Sequence, residues 1–401
     1  MFTKTLVATL LAATSFHVAA ADYNPSEKAK QLAHDALLID THIDVPYRLI
    51  NGWEDVSQAT ADGDFDYPRA QQGGLNAPFM SIYIPASYEE SGGGGELAHR
   101  MIDSMEALVG RAPDKFALAY NTDDIYAQQQ QGLMSIAMGM ENGTPIAGDL
   151  ANLKLFYDRG IRYITLAHSQ SNHIADSSYD IRRQWNGLSD FGKELVVAMN
   201  NIGMMVDVSH ISDEAFYDAI AVSKAPVIAS HSSLRSYTPG FERNMSDDML
   251  KKLAENGGVI QINFGSSFVA QQANRYNDMI KKRVQAVEKQ FGKDSAEAKK
   301  RIAEINANNP YPYATLEQVL DHIDHVVKTI GIEHVGIGSD YDGVGDSLPV
   351  GLKDVSSYPN LVQGLLDRGY HDEQIKMILG GNLMRVWKAV EDYAAAHTND
   401  A

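Results

Sequence analysis

Four histidines and three carboxylates in this chain stand at or just beyond the ends of short apolar runs. His42 and Asp44 follow the run that begins at Ala36, and Glu141, His168, His210, His231 and Asp340 end five later ones. Imidazole and carboxylate are the donors that divalent transition metals take, and His-x-Asp in extended chain turns both side chains to one side. Each residue by itself reads better as a satisfied polar group, such as a core histidine bonded to a backbone carbonyl. Taken jointly they suggest a metal centre. If His42, His210 and His231 all bind, they make five protein ligands with Asp44 and Glu141, more than the three usual at one catalytic zinc. Two ions sharing one carboxylate absorb the surplus: Glu141 bridges, His42 and Asp44 complete one ion, and His210 and His231 complete the other.

Side chains so far apart in sequence meet only if the strands that carry them lie side by side and end together. β-Branched or apolar runs at Ala36–Asp40, Ala77–Ile84, Ser135–Met140, Ile161–Ala167, Met204–Val208, Pro226–Ser230, Val259–Asn263 and Val335–Gly338 predict eight strands. Between them, segments such as Leu97–Val109, Asp149–Arg159, Phe191–Ile202, Asp213–Val222, Ser246–Glu255 and Thr315–Ile330 carry helical periodicity. Ser212 and Thr315 stand where helix caps belong. Strand and helix alternating without a break in composition predict an α/β fold, a (β/α)8 TIM barrel with extra C-terminal helices. Catalytic groups in that fold come from the C-terminal strand ends, where these seven residues fall. Residues 271–308, rich in Lys, Arg, Glu and Ala, predict a helical insertion between strands 7 and 8. Its Lys281-Lys282-Arg283 cluster reads as a solvated face balanced by Glu288, Glu297 and Glu304, and His322 and His325 read as a solvated face too.

Composition narrows the chemistry. The 401 residues hold no Cys, which excludes disulfides, thiolate zinc, iron–sulfur clusters and cysteine nucleophiles. A net charge of −18 argues against a nucleic acid or an anionic membrane as partner. The absence of a Gly-x-Ser-x-Gly elbow argues against a serine hydrolase. Residues 1–21, with Lys4, an apolar stretch from Leu6 to Phe16 and Ala19-x-Ala21, read as a signal peptide. The expectation is therefore an exported protein, periplasmic or secreted, with no membrane anchor and a single metallohydrolase domain over residues 22–401.

Six segments together resemble the membrane (renal) dipeptidase family of binuclear zinc peptidases. They are Asp40-Thr41-His42-Ile43-Asp44, Gly139-Met140-Glu141-Asn142-Gly143, Tyr163-Ile164-Thr165-Leu166-Ala167-His168-Ser169, Asp207-Val208-Ser209-His210, Ser230-His231-Ser232-Ser233 and Gly338-Ser339-Asp340-Tyr341-Asp342-Gly343. The likeness runs from about Leu37 to Trp387, in the family's order. It implies a barrel hydrolase of dipeptides, tolerant of a D-residue at the C-terminal position, with two Zn2+ per chain. It implies metal ligation by His42, Asp44, Glu141, His210 and His231, and substrate contacts by His168, Arg243 and Asp340. Asn142 stands where many relatives have Gly, a rim change expected to alter substrate fit, and the insertion looks longer than in mammalian members. With no Cys a disulfide-linked dimer is excluded, and a noncovalent homodimer stays open.

The charges then suggest a mechanism. Two cations about 3.5 Å apart would lower the pKa of a shared water toward ~7, supplying a bridging hydroxide as nucleophile. His168 would donate to the developing oxyanion, Asp340 would carry the proton to the leaving amine, and Arg243 would pair with the substrate's carboxylate. Two other readings stay open: a barrel metallohydrolase of a lactam, lactone or phosphoester, and a non-catalytic exported protein that binds metal or peptide.

Overall fold

A computed structural model describes residues 23–397; the expected signal peptide lies outside them. The described residues form nine strands: β1 (Leu38–Ile43), β2 (Leu75–Tyr83), β3 (Phe116–Leu118), β4 (Met134–Glu141), β5 (Ile161–Thr165), β6 (Met205–Asp207), β7 (Ile228–Ser232), β8 (Val259–Ile262) and β9 (Val335–Ile337). Eight pair in parallel in the order β1-β2-β4-β5-β6-β7-β8-β9, while β3, which the sequence did not announce, pairs β4 outside that path. The ring closes just beyond β9, where Asp340 N–H donates to His42 O at 3.0 Å and Asp44 N–H donates to Tyr341 O at 2.9 Å. The fold is the expected (β/α)8 barrel.

Buried Asp40 reinforces that seam. Its Oδ1 accepts from the N–H groups of His42 and Ser339, each at 3.0 Å, and its Oδ2 accepts from the Tyr358 hydroxyl at 2.5 Å. Strand alternation sorts the apolar side chains into two layers. Ile39, Phe79, Tyr163, Met205, Ile228 and Val259 share one cluster with Trp387 and Leu383 of the C-terminal helix Asn382–His397, which plugs the N-terminal end of the barrel. Met80, Ile82, Met138, Met140 and Ile164 belong to the other cluster, with the surrounding helices. One interior position admits only glycine: a Cβ on Gly139 would lie 1.9 Å from Tyr163 Cζ.

The helices begin where capping chemistry starts them. Ser189, Ser212 and Ser246 accept from backbone N–H groups in the first turns of Asp190–Ile202, Asp213–Val222 and Asp247–Asn256. Thr315 and Gln318 form a capping box on Leu316–Ile330. The insertion is a pair of helices, Gln271–Phe291 and Ala296–Asn308, between β8 and β9. His322 departs from the solvated face expected of it: it is fully buried, its Nδ1 accepts from Leu234 N–H at 3.1 Å and its Nε2 meets Val269 O at 2.9 Å. His325 pairs with Asp247 at 2.9 Å. No helix among the described residues is long and apolar enough to cross a membrane.

Candidate active site

Barrel closure brings the strand ends to one mouth. His42 is the penultimate residue of β1, a strand whose register is irregular between Asp40 and Ile43; Glu141 is the last of β4, and His231 lies within β7. His168, His210 and Asp340 each follow their strands by three residues, and His210 and Asp340 take φ of +70° and +66°. Left-handed backbone at a residue other than glycine costs ~1–3 kcal/mol and collects at functional sites, where surrounding contacts hold it.

Glu141 is the hub. Its Oε1 lies 3.1 Å from His210 Nε2 and 3.3 Å from both His231 Nε2 and His168 Nε2, and its Oε2 lies 3.5 Å from His42 Nε2. Asp44 Oδ2 stands 3.4 Å from His42 Nε2. His168, expected at the substrate, is as near Glu141 as His231 is. Three overlapping groups bring ligand atoms within 4.8 Å of one another: His42, Glu141 and His231; Glu141, His168 and His210; His42, Asp44 and Asp340.

Hydrogen bonds behind the imidazoles decide which ring nitrogen faces this hub. The Tyr163 hydroxyl donates to Thr41 O at 2.9 Å, so it accepts from His42 Nδ1–H at 2.9 Å. The Ser230 hydroxyl donates to Asp207 Oδ2 at 2.6 Å, so it accepts from His231 Nδ1–H at 2.8 Å. Both rings thereby turn Nε2 to the centre, the orientation a metal ligand needs. His42 Nε2 is buried and has no hydrogen-bond partner, an arrangement costly for a polar atom unless a cation takes its lone pair.

Charge states agree with a cation centre. Burial opposes ionisation of Glu141, yet the His168 and His42 rings hold its carboxyl well below the usual range. Burial first, then Arg243 and neighbouring imidazoles, push His210 and His231 well below the ordinary histidine value, which keeps them neutral. Burial would lower His42 as well, but Tyr163, Glu141 and Asp44 outweigh it and raise its pKa well above the ordinary value; the site draws in positive charge, and a metal ion would displace the proton that His42 otherwise holds. Ionised carboxylate beside neutral imidazole is the donor set of a divalent metal. Burial, reinforced by Asp44 and Glu141, raises Asp340 to about 7, while Asn263 Nδ2 donates to it at 2.7 Å.

These groups open into a cavity of about 710 Å³ whose walls include Tyr47, Tyr83, Tyr179 and Phe268. Arg243 is buried: its guanidinium donates to Ser232 Oγ at 2.8 Å and His231 O at 2.6 Å, lies 5.3 Å from the Phe268 ring centroid, and leaves a buried Nε without a partner. Asn142 is not a rim residue. It is 1% exposed, its φ is +78°, and its amide donates to Ile84 O and accepts from Asn172 and Thr144, so it locks the turn after β4. Lys281 is exposed, as expected of a solvated face, and it also lines the cavity. The supporting residues Asp40, Tyr163 and Ser230 were not singled out from sequence, although each lies within a quoted motif. A second cavity of about 590 Å³, around Glu89 and His173, contains none of the hub residues.

A parallel barrel with ionised carboxylate and neutral imidazole gathered at its C-terminal mouth is the architecture of a barrel metallohydrolase. Residues 26–401 match the family model described as membrane dipeptidase (peptidase family M19). Dipeptidase verJ of Clonostachys rogersoniana is 36% identical over 384 residues, 91% of this chain and 87% of its own length. A probable dipeptidase from Pseudomonas aeruginosa, PvdM, superposes with a TM-score of 0.79 at 27% identity, over 92% of this chain and 98% of its own. The likeness in fold extends to a metallopeptidase of Rhodobacter sphaeroides, 23% identical with a TM-score of 0.73 over 88% of this chain and 99% of its own, crystallised with a phosphinate mimic of L-Ala-D-Ala. The chain belongs to the membrane dipeptidase family, peptidase family M19. It is a hydrolase of peptide bonds.

Proposed function

We propose that this protein is an exported dipeptidase that works with two zinc ions. The observation that carries the reading is Glu141, buried and ionised, with four imidazole Nε2 atoms within 3.5 Å. His42, Asp44 and Glu141 would hold one ion, and Glu141, His210 and His231 the other. When bound, the pair would supply Lewis acidity and a water-derived nucleophile at neutral pH.

The chain's own residues do the rest. Tyr163 and the Ser230–Asp207 pair keep His42 and His231 in the ligating tautomer. His168 stands beside Glu141 at the cavity and donates a hydrogen bond to the oxyanion that develops as the carbonyl is attacked. Asp340, whose pKa near 7 suits it both to accept and to release a proton, passes one to the leaving amine. Arg243, buried against Phe268 of the cavity wall with its Nε–H unpartnered, would pair with the free carboxylate, which favours substrates two residues long. The dipeptide mimic bound by the Rhodobacter sphaeroides relative supports tolerance of a D-residue at the C-terminal position. Export rests on the sequence of residues 1–21.

The test is a panel of L,L and L,D dipeptides given to zinc-loaded protein, chelated protein and Glu141→Ala. The reading expects amino acids to be released by the first alone. A Glu141→Ala enzyme that kept its activity would remove Glu141 from the shared position.

A further inference from the structure

The cavity wall holds one group that the proposed chemistry leaves without a task. Lys281, on the insertion helix Gln271–Phe291, lines the cavity together with Phe268 and Val344. It makes no hydrogen bond or ion pair among the described residues, in a chain whose Asp and Glu outnumber its Lys and Arg 52 to 34. The carboxylates that share its cavity are engaged elsewhere: Asp44 and Glu141 at the imidazoles, Asp340 with Asn263, and Asp342 with Arg48. Lys281 is thus an exposed positive charge on a long stem, lining the substrate space and left unneutralised by the protein.

Its place suggests which part of a substrate it meets. Arg243 lies against the Phe268 ring, so a dipeptide whose terminal carboxylate reached Arg243 would run its C-terminal residue along the Phe268 wall. Lys281 lines the same cavity. We propose that Lys281 is a specificity residue that favours dipeptides with Asp or Glu at the C-terminal position. This rests on the dipeptidase reading above. A lysine head group is a point charge suited to reaching a side-chain carboxylate from the cavity rim, without the fixed fork of arginine.

The experiment compares kcat/KM for Ala-Asp, Ala-Asn and Ala-Lys, and for Asp-Ala and Asn-Ala, using zinc-loaded wild type, Lys281→Ala, Lys281→Glu and Lys281→Arg. Wild type is expected to prefer Ala-Asp over its isostere Ala-Asn about fivefold, the size of a solvated ion pair, and less as salt is raised. Lys281→Ala brings that ratio close to one, Lys281→Arg restores it in part, and Lys281→Glu turns the preference toward Ala-Lys. An unmoved Ala-Asp to Ala-Asn ratio in Lys281→Ala would overturn the proposal. So would an equal loss on all substrates, or a change confined to the Asp-Ala to Asn-Ala ratio. Hydrolysis of Ala-Asn by wild type is read separately: its absence overturns the dipeptidase reading, and its presence with an unmoved ratio overturns only the role of Lys281.

Discussion

Replacing Tyr163 with Phe removes one oxygen atom and tests whether the second layer of the site sets metal affinity. The hydroxyl is buried inside the barrel, donates to Thr41 O and accepts from His42 Nδ1–H, both at 2.9 Å. Without it, His42 Nδ1–H loses its acceptor, and the ring gains nothing by keeping its proton there. The alternative tautomer puts the proton on Nε2, 3.5 Å from Glu141 Oε2 and 3.4 Å from Asp44 Oδ2, where it satisfies those carboxylates and blocks ligation. Metal binding must then reverse that choice. Loss of a partner behind a metal-bound imidazole typically weakens affinity by about 10- to 100-fold, or about 1.4 to 2.7 kcal/mol. The ring is retained, so its packing against Phe79 survives. Zinc competition against a chromophoric chelator should show that weakening in Tyr163→Phe, and kcat at saturating zinc should recover most of its wild-type value, because every direct ligand is intact. Zinc affinity within twofold of wild type would refute the argument that Tyr163 selects the His42 tautomer.

Three further outcomes are expected. Gly139→Ala should be at least as damaging to zinc affinity as Tyr163→Phe and should also lower stability by about 1–3 kcal/mol, since the new Cβ displaces the Tyr163 ring; thermal unfolding and the same zinc competition check it. Burial holds the His322 pKa near 4, below its ordinary 6.5, so its contribution is complete above pH 6.5 and is lost as pH falls toward 4. At pH 5 the loss is about 2 kcal/mol. In denaturant titrations at pH 7 and pH 5, His322→Gln should lose correspondingly less stability between the two pH values than wild type does, and equal losses would contradict the burial argument. Arg243→Lys should raise KM for dipeptides about tenfold or more while changing kcat less, because a lysine keeps the charge and loses the fork.

The barrel was legible because each of its strands is a short apolar run, and parallel strands buried on both faces must be. β3 escaped notice because three residues at Phe116–Leu118 carry too little pattern. The convergence of His42, Glu141, His168, His210, His231 and Asp340 follows from the same strands, since residues at their C-terminal ends have nowhere to go but one mouth. Contacts between distant segments were not legible. Asp40 and Tyr163 read as ordinary strand residues until the seam and the barrel interior set them against Ser339, Tyr358 and His42. His322 has the polar neighbours of a solvated face, and its burial depends on packing against Leu234 and Val269. Lys281 belongs to a cluster whose periodicity suits a surface helix, where it is indeed exposed, and only the packing of that helix beside the mouth brings it to the cavity.

The central claim, a zinc-dependent dipeptidase built around Glu141, is tested most directly by amino-acid release from an L,L dipeptide as zinc is titrated into metal-stripped protein. No release is expected without metal, and activity should saturate at two zinc ions per chain. Full activity without metal, or none at any zinc concentration across the dipeptide panel, would contradict it.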